Sequence, residues 1–184
     1  MLSLEEVIYR ETNGKEITAL EAYQNIFQLG TGFTQYNADD NNRVGNPIAY
    51  FRNQNEETGH FRIMFSEQFE DILAELQNAD FAILNGLSYF GRKNLQQYAD
   101  KMFSMVFDLD GQTPQTLRNF FSGCVGGWYP MPNYVALSGH GVHLYYIFEE
   151  PVKLYPNLKM QLKELKYQLA KKMWNRNTST EEKV

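Results

Sequence analysis

Apolar and polar positions follow two rhythms along this chain, and each rhythm predicts a kind of element. Leu20, Tyr23, Ile26 and Phe27 recur at helical spacing behind Thr18-Ala-Leu-Glu21, a capping-box pattern, and Gly30 stops the run, which predicts a helix over about 18–29. The Gly-, Asn- and Asp-rich stretch 30–47 reads as a loop. PIAYFR (47–52) and HFRIMF (60–65) are apolar and aromatic and are separated by the polar NQNEETG, which predicts two short strands. Ser66 is placed to cap a helix carrying Phe69, Ile72, Leu73 and Leu76, after which DFAILN (80–85) predicts a third strand.

The second half uses the same rhythms in a different order. The loop GLSYFGRKN (86–94) and a short helix over Leu95–Tyr98 lead to the strand FSMVFDLD (103–110). A helix seeded near Pro114 covers about 114–122, with Leu117, Phe120 and Phe121 on one side. The turn GCVGGWYPMPN then joins strand YVALS, the tight turn GHG and strand VHLYYIF. A long helix from about Asn157 to Trp174 carries Leu158, Leu162, Leu165, Leu169 and Met173 at three- and four-residue steps, with most lysines on the other side. Strand, helix, strand, strand, helix is the split βαββα(β) order of a ferredoxin-like or RNA-recognition-like module, short of its last strand. The expected fold is therefore α+β: an N-terminal α/β module over 1–90 packed with an RRM-like module over 91–184, truncated before its final strand, unless the sheet is completed in another way.

Length and composition narrow the class. The 184 residues suffice for one domain or two small modules with a core of their own, and 43% apolar and 15% aromatic residues belong to a globular protein. The single cysteine, Cys124, excludes an internal disulfide and a Cys-rich zinc site and points to a reducing cytoplasm. The start MLSLEEVIYRE lacks a signal-peptide layout, and no apolar run approaches the ~18 residues of a membrane span, so no membrane partner is expected. The net charge of −5 conceals an asymmetry: residues 1–100 hold 7 Lys and Arg against 15 Asp and Glu, whereas residues 101–184 hold 10 against 7. The late basic excess lies on the last helix, where a solvated face and a nucleic-acid footprint are both open readings.

Two constellations carry candidate chemistry. In the strand ending MVFDLDGQT, Asp108 and Asp110 point to one face, roughly 7 Å apart at Cα by the strand rise. Two such carboxylates suit Mg2+ or Mn2+, because magnesium needs only one or two protein carboxylates when substrate phosphates supply the other oxygens. Asp-x-Asp-Gly is also ordinary turn chemistry. The second constellation is Ser138-Gly139-His140-Gly141-Val142-His143, where the glycines allow a tight turn and close approach of a ligand. His143, one position into the next strand, can donate to a phosphate, and Ser138 can add a hydroxyl. A satisfied core histidine is the alternative. In the split order the first and third strands are neighbours, which brings His143 towards Asp108 and Asp110.

FDLDG followed about 30 residues later by SGHGVHLYYIFEEP resembles the archaeo-eukaryotic primase superfamily, especially the primase-polymerase domains of plasmids, phages and integrated mobile elements. Asp108 and Asp110 match its first motif, Asp-x-Asp, and Gly141-Val142-His143 match its second, small-x-His. SYFGRKN (88–94) looks like the segment that supplies basic residues ahead of the first motif. The resemblance is most specific over 86–178. It implies metal-dependent nucleotidyl transfer on a single-stranded DNA template from nucleoside triphosphates, in replication of a mobile element. Asp108 and Asp110 would be the metal ligands and His143 the contact to the incoming nucleotide. Ser138, Gly139, Gly141, Arg92 and Lys93 would meet nucleotide or DNA, and a helicase domain or protein would be a further partner.

One departure stands out. The superfamily carries a third carboxylate on a later strand, and no aspartate follows Asp110. Glu149 and Glu150 lie about 20 Å along the strand from His143, and Glu181 and Glu182 fall in what reads as a frayed tail. Activity of this chain alone is therefore an open expectation. Two other readings start from the same residues. A haloacid-dehalogenase-like phosphatase would use Asp108 as covalent nucleophile and Asp110 as acid/base, although Gln112 replaces the threonine of its Asp-x-Asp-Gly-Thr motif. A non-catalytic nucleic-acid-binding module would stack bases on Tyr145, Tyr146 and Phe148.

Overall fold

The computed structural model describes residues 2–41, 43–138 and 141–181. The elements in chain order are α1 (Leu4–Thr12), α2 (Ala19–Ile26), β1 (Asn46–Arg52), β2 (His60–Ile63), α3 (Phe69–Gln77), β3 (Phe81–Ile83), β4 (Leu87–Tyr89), β5 (Ala99–Asp110), α4 (Pro114–Val125), β6 (Tyr134–Leu137), β7 (Gly141–Lys153) and α5 (Pro156–Met173). The protein is α+β. Its contacts gather into two compact units, one made of Met1–Ile17, Met105–Ile147 and Pro156–Val184, the other of Thr18–Ser104 and Phe148–Tyr155. The chain thus passes between units after Ile17, inside β5, inside β7 and after Tyr155.

The unit that carries Asp108 has strands in the order β5-β7-β6. β6 and β7 are antiparallel, with Ala136 opposite His143 and Tyr134 opposite Tyr145. The helix α4 starts where Thr113 accepts a hydrogen bond from the Thr116 N–H and Pro114 occupies the first turn, so the turn after Asp110 feeds directly into a capped helix. One side of α4 buries Leu117, Phe120 and Phe121; the apolar side of the sheet buries Phe107, Leu109, Val142 and Leu144. Phe120 stacks on Tyr129 with centroids 5.6 Å apart, and Phe107 meets Tyr146 edge-on at 5.5 Å. The helix α1, absent from the sequence reading, has its signal in Ser3-Leu-Glu-Glu6, a formed capping box, and lies against α4.

The other unit is built on β1, which pairs antiparallel with β2 on one edge and with β3 and β4 along the other. β4 continues the sheet to the first half of β5, Leu87 opposite Met102. The core is aromatic: Phe27 of the α2 C-terminus packs on Phe69 at 5.9 Å and on Phe103 at 5.4 Å. Thr18 caps α2 as its pattern predicts. Ser66 does not cap α3; its hydroxyl pairs with Thr34 Oγ1 at 3.1 Å, and residues 66–68 form a 3₁₀ turn ahead of the helix.

The βαββα order of β5, α4, β6, β7 and α5 matches the sequence expectation, and the described residues after α5, up to Glu181, fold back on the end of β5; Glu182 lies outside the described residues. Thr180 donates its N–H to the Gly111 C=O at 2.9 Å, Ser179 donates its hydroxyl to the Asp110 C=O at 2.7 Å, and Trp174 Nε1 donates to the Glu181 C=O. The returning segment thus takes backbone acceptors at the end of β5 that water or a further strand would otherwise satisfy.

Candidate functional site

β5 ends with alternating faces. Phe107 and Leu109 go into the core, while Asp108 is exposed and Asp110 half-buried on the opposite face. The start of β7 meets the end of β5 so closely that a Cβ on Gly141 would stand 2.3 Å from the Leu109 carbonyl oxygen. Any side chain there would push the strands apart, so glycine at 141 is a packing requirement. Two residues on, His143 returns to the Asp108 face, and its Nε2 lies 3.3 Å from Asp108 Oδ1.

The turn after Asp110 is held from several sides. Gly111 adopts φ +66°, a left-handed backbone that favours glycine, and a Cβ there would meet Ser179 and the stem of Glu181. Gln112 donates from Nε2 to the carbonyls of Asp110 and Thr178. Ser138 closes the turn before β7, its N–H donating to the Gly141 C=O at 3.0 Å. Gly139 and His140, the former a predicted ligand contact, lie outside the described residues.

Asp108, Asp110, Gly141 and His143 are therefore brought together, with Ser138 at the same turn. Arg92 and Lys93 are exposed and belong to the other unit, in the loop after β4. Strand alternation with the β6–β7 register also puts Tyr145 and its cross-strand partner Tyr134 on the His143 face, whereas Tyr146 turns to the core and donates its hydroxyl to the Pro130 carbonyl. Tyr134 was not legible as a site neighbour, because only strand pairing places it there. Burial raises the Tyr146 phenol well above its ordinary range. Beneath the site, Lys166 of α5 holds its ammonium 5.6 Å from the Phe107 ring centre, and the resulting desolvation lowers its pKa.

Among the described residues no three His, Cys, Asp or Glu side chains converge as a metal cage. The donor set is instead two same-face carboxylates open to solvent, a set that fits a hard cation only when phosphates and water complete its shell. Among the described residues no helix is long and apolar enough to cross a membrane.

Together these features define an α+β protein with an antiparallel sheet bearing an Asp-x-Asp pair against a histidine. Compared with known proteins, the chain matches no family model and no curated sequence. Among solved structures it is similar to the AEP domain of the primase-polymerase of cyanophage S-2L, at 11% identity over 80% of this chain and 71% of that chain, with a TM-score of 0.43. No residue role rests on that likeness.

Proposed function

We propose that the chain carries the catalytic face of a primase-polymerase, a metal-dependent nucleotidyltransferase that extends a strand on single-stranded DNA. The observation that supports this reading is the 3.3 Å approach of His143 Nε2 to Asp108 Oδ1, with Asp110 one strand repeat further along the same face. Asp108 and Asp110 would hold Mg2+ or Mn2+, which when bound supplies activation of an attacking hydroxyl and stabilisation of the leaving pyrophosphate. His143 would hold a proton at Nε2 and offer it to a phosphate oxygen of the incoming nucleoside triphosphate. The narrow Gly141 backbone and the Ser138 hydroxyl would border that triphosphate, and Tyr145 with Tyr134 would present flat surfaces to bases. Arg92 and Lys93 would contact DNA phosphates. Replication of a mobile element in a cytoplasm, with a helicase as partner, is the setting that suits such an activity.

The phosphatase reading finds less support in the turn itself. Gln112, at the position where that class needs a threonine, is spent on the Asp110 and Thr178 carbonyls, and Thr113 is spent capping α4.

The test is metal-dependent binding of a nucleoside triphosphate followed by primer synthesis on single-stranded DNA. The Asp108→Asn, Asp110→Asn double variant should lose both while remaining folded. Retained metal–nucleotide binding in that variant would sink the site assignment, and phosphate release from a simple phosphomonoester without polymer would favour the phosphatase.

A further inference from the structure

A second site is suggested within the other unit. The Gly-, Asn- and Asp-rich stretch 30–47 reads as a loop, yet several of its described residues are fastened. Asn46 accepts the Gln35 N–H at 2.9 Å and donates from Nδ2 to Gln35 Oε1 at 2.7 Å, and Gln35 Nε2 reaches the Asp40 carbonyl. Gly45 donates its N–H to Asp100 Oδ2 at 2.8 Å and packs so tightly against the Tyr89 backbone that a Cβ there would stand 2.9 Å from it. Asp100 is itself fully buried, ion-paired with Lys153 and near Lys101. Asp40, Asn41, Arg43 and Val44 line one wall of a cleft of about 600 Å³, with Phe65 and Phe90 on other sides. That volume lies in the range of small-molecule sites, roughly 300–1,000 Å³.

The chemistry of the wall selects a class of ligand. Arg43 lines the cleft, is exposed, and has no ion pair among the described residues. A guanidinium so placed offers a planar fork to a phosphate. Phe90 is 43% exposed and gives the cleft an aromatic edge; the Lys153 ammonium, 4.9 Å from its ring centre, is paired with Asp100. Asn41 supplies an exposed amide, a group that pairs with the edges of nucleobases, whereas the Asn46 amide is engaged with Gln35 and holds the wall in place. The one carboxylate of the lining, Asp40, already accepts the Tyr36 N–H at 3.2 Å.

We infer that this cleft binds a nucleoside 5′-phosphate without a metal ion: Arg43 takes the phosphate, and the base lies against Phe65 and Phe90 with its edge towards Asn41. The ligand is either a free mononucleotide or the 5′-phosphorylated end of a DNA strand, which share this chemistry. The site is independent of Asp108 and Asp110.

The experiment is calorimetric titration of the full chain in EDTA with deoxyadenosine 5′-monophosphate, deoxyadenosine, inorganic phosphate, and one oligonucleotide with and without a 5′-phosphate. The monophosphate should bind, and the nucleoside and inorganic phosphate should each bind at least about tenfold more weakly, the loss expected for one charge-assisted contact or one stacked base. Arg43→Ala and Phe90→Ala, both at exposed positions, should each weaken the monophosphate by about tenfold or more, with partial recovery in Arg43→Lys. The Asp108→Asn, Asp110→Asn variant should bind it as the parent does. Competition by the 5′-phosphorylated oligonucleotide alone identifies a strand end as the source; lack of competition identifies the free nucleotide. Absence of metal-free monophosphate binding, or binding indifferent to Arg43→Ala and Phe90→Ala, overturns the inference while leaving metal-dependent binding at Asp108 untouched.

Discussion

His143 Nε2 stands 3.3 Å from Asp108 Oδ1, although the two residues are separated in the chain by a helix, a strand and three connections. The pair is partly exposed, 38% for the histidine side chain and 57% for the aspartate, so it contributes little to stability by itself. Under the proposed function it is a catalytic contact rather than a stabilising one. His143→Ala should therefore leave the thermal midpoint within a few degrees of the parent, while any primer synthesis falls by about 100-fold or more, the scale of a lost phosphate or proton-transfer contact. A large drop in the midpoint with unchanged synthesis would show His143 to be a packing residue.

Gly141→Ala should be costly for a different reason. Its Cβ would press on the Leu109 carbonyl and the Asp110 Cα, both backbone atoms that cannot move without parting β5 from β7. Overpacking of this kind costs about 1–3 kcal/mol. Urea denaturation measures the loss, and nucleotide binding should weaken with it because the same contact sets the Asp110 backbone.

Asp100 predicts the sharpest stability effect. Its side chain is fully buried, with Lys153, Lys101 and the Gly45 N–H around it. Asp100→Asn would leave two lysines without their counter-charge, and breaking a buried pair in this way costs about 3–5 kcal/mol. Substituting Lys153, which is 42% exposed, should cost less. Chemical denaturation of the two variants side by side tests the order, and equal losses would contradict it.

Cys124 predicts a pH dependence. Burial pushes its thiol up to about 11 from 9.0. Its folded pKa exceeds its unfolded value, so the folded state holds the proton more tightly. The stability it contributes is complete below about pH 9 and is lost as the pH rises towards about 11, at most roughly 3 kcal/mol for two units. Alkylation of the native thiol should accordingly inflect near 11 rather than 9, and Cys124→Ala should flatten the fall in stability across that window.

Much of this was legible before any fold was known, and for a common reason. The Thr18 cap, the α4 start at Thr113-Pro114, the leucine steps of α5 and the shared face of Asp108 and Asp110 are set by interactions within a few residues. Periodicity reports such interactions directly. The approach of His143 to Asp108 was also readable, because the βαββ order constrains which strands are neighbours.

Other features depend on pairings that no local pattern encodes. GLSYF reads as loop, yet Leu87–Tyr89 is a strand, because β1 and β5 each offer it an edge. Glu181 reads as part of a frayed tail, yet its carbonyl accepts from Trp174 Nε1, and Ser179 and Thr180 just before it find the carbonyls of Asp110 and Gly111. Asp100 reads as one more strand residue until Lys153 arrives from β7 and Gly45 from the loop before β1. The sequence by itself determined most of the helices and the longer strands, and the shared face of Asp108 and Asp110 at the end of β5, since these follow from neighbours along the chain. Only the tertiary structure decided the strand edges, the buried charge and the cleft beside Arg43, since each requires groups distant in sequence to satisfy one another's hydrogen bonds and charge.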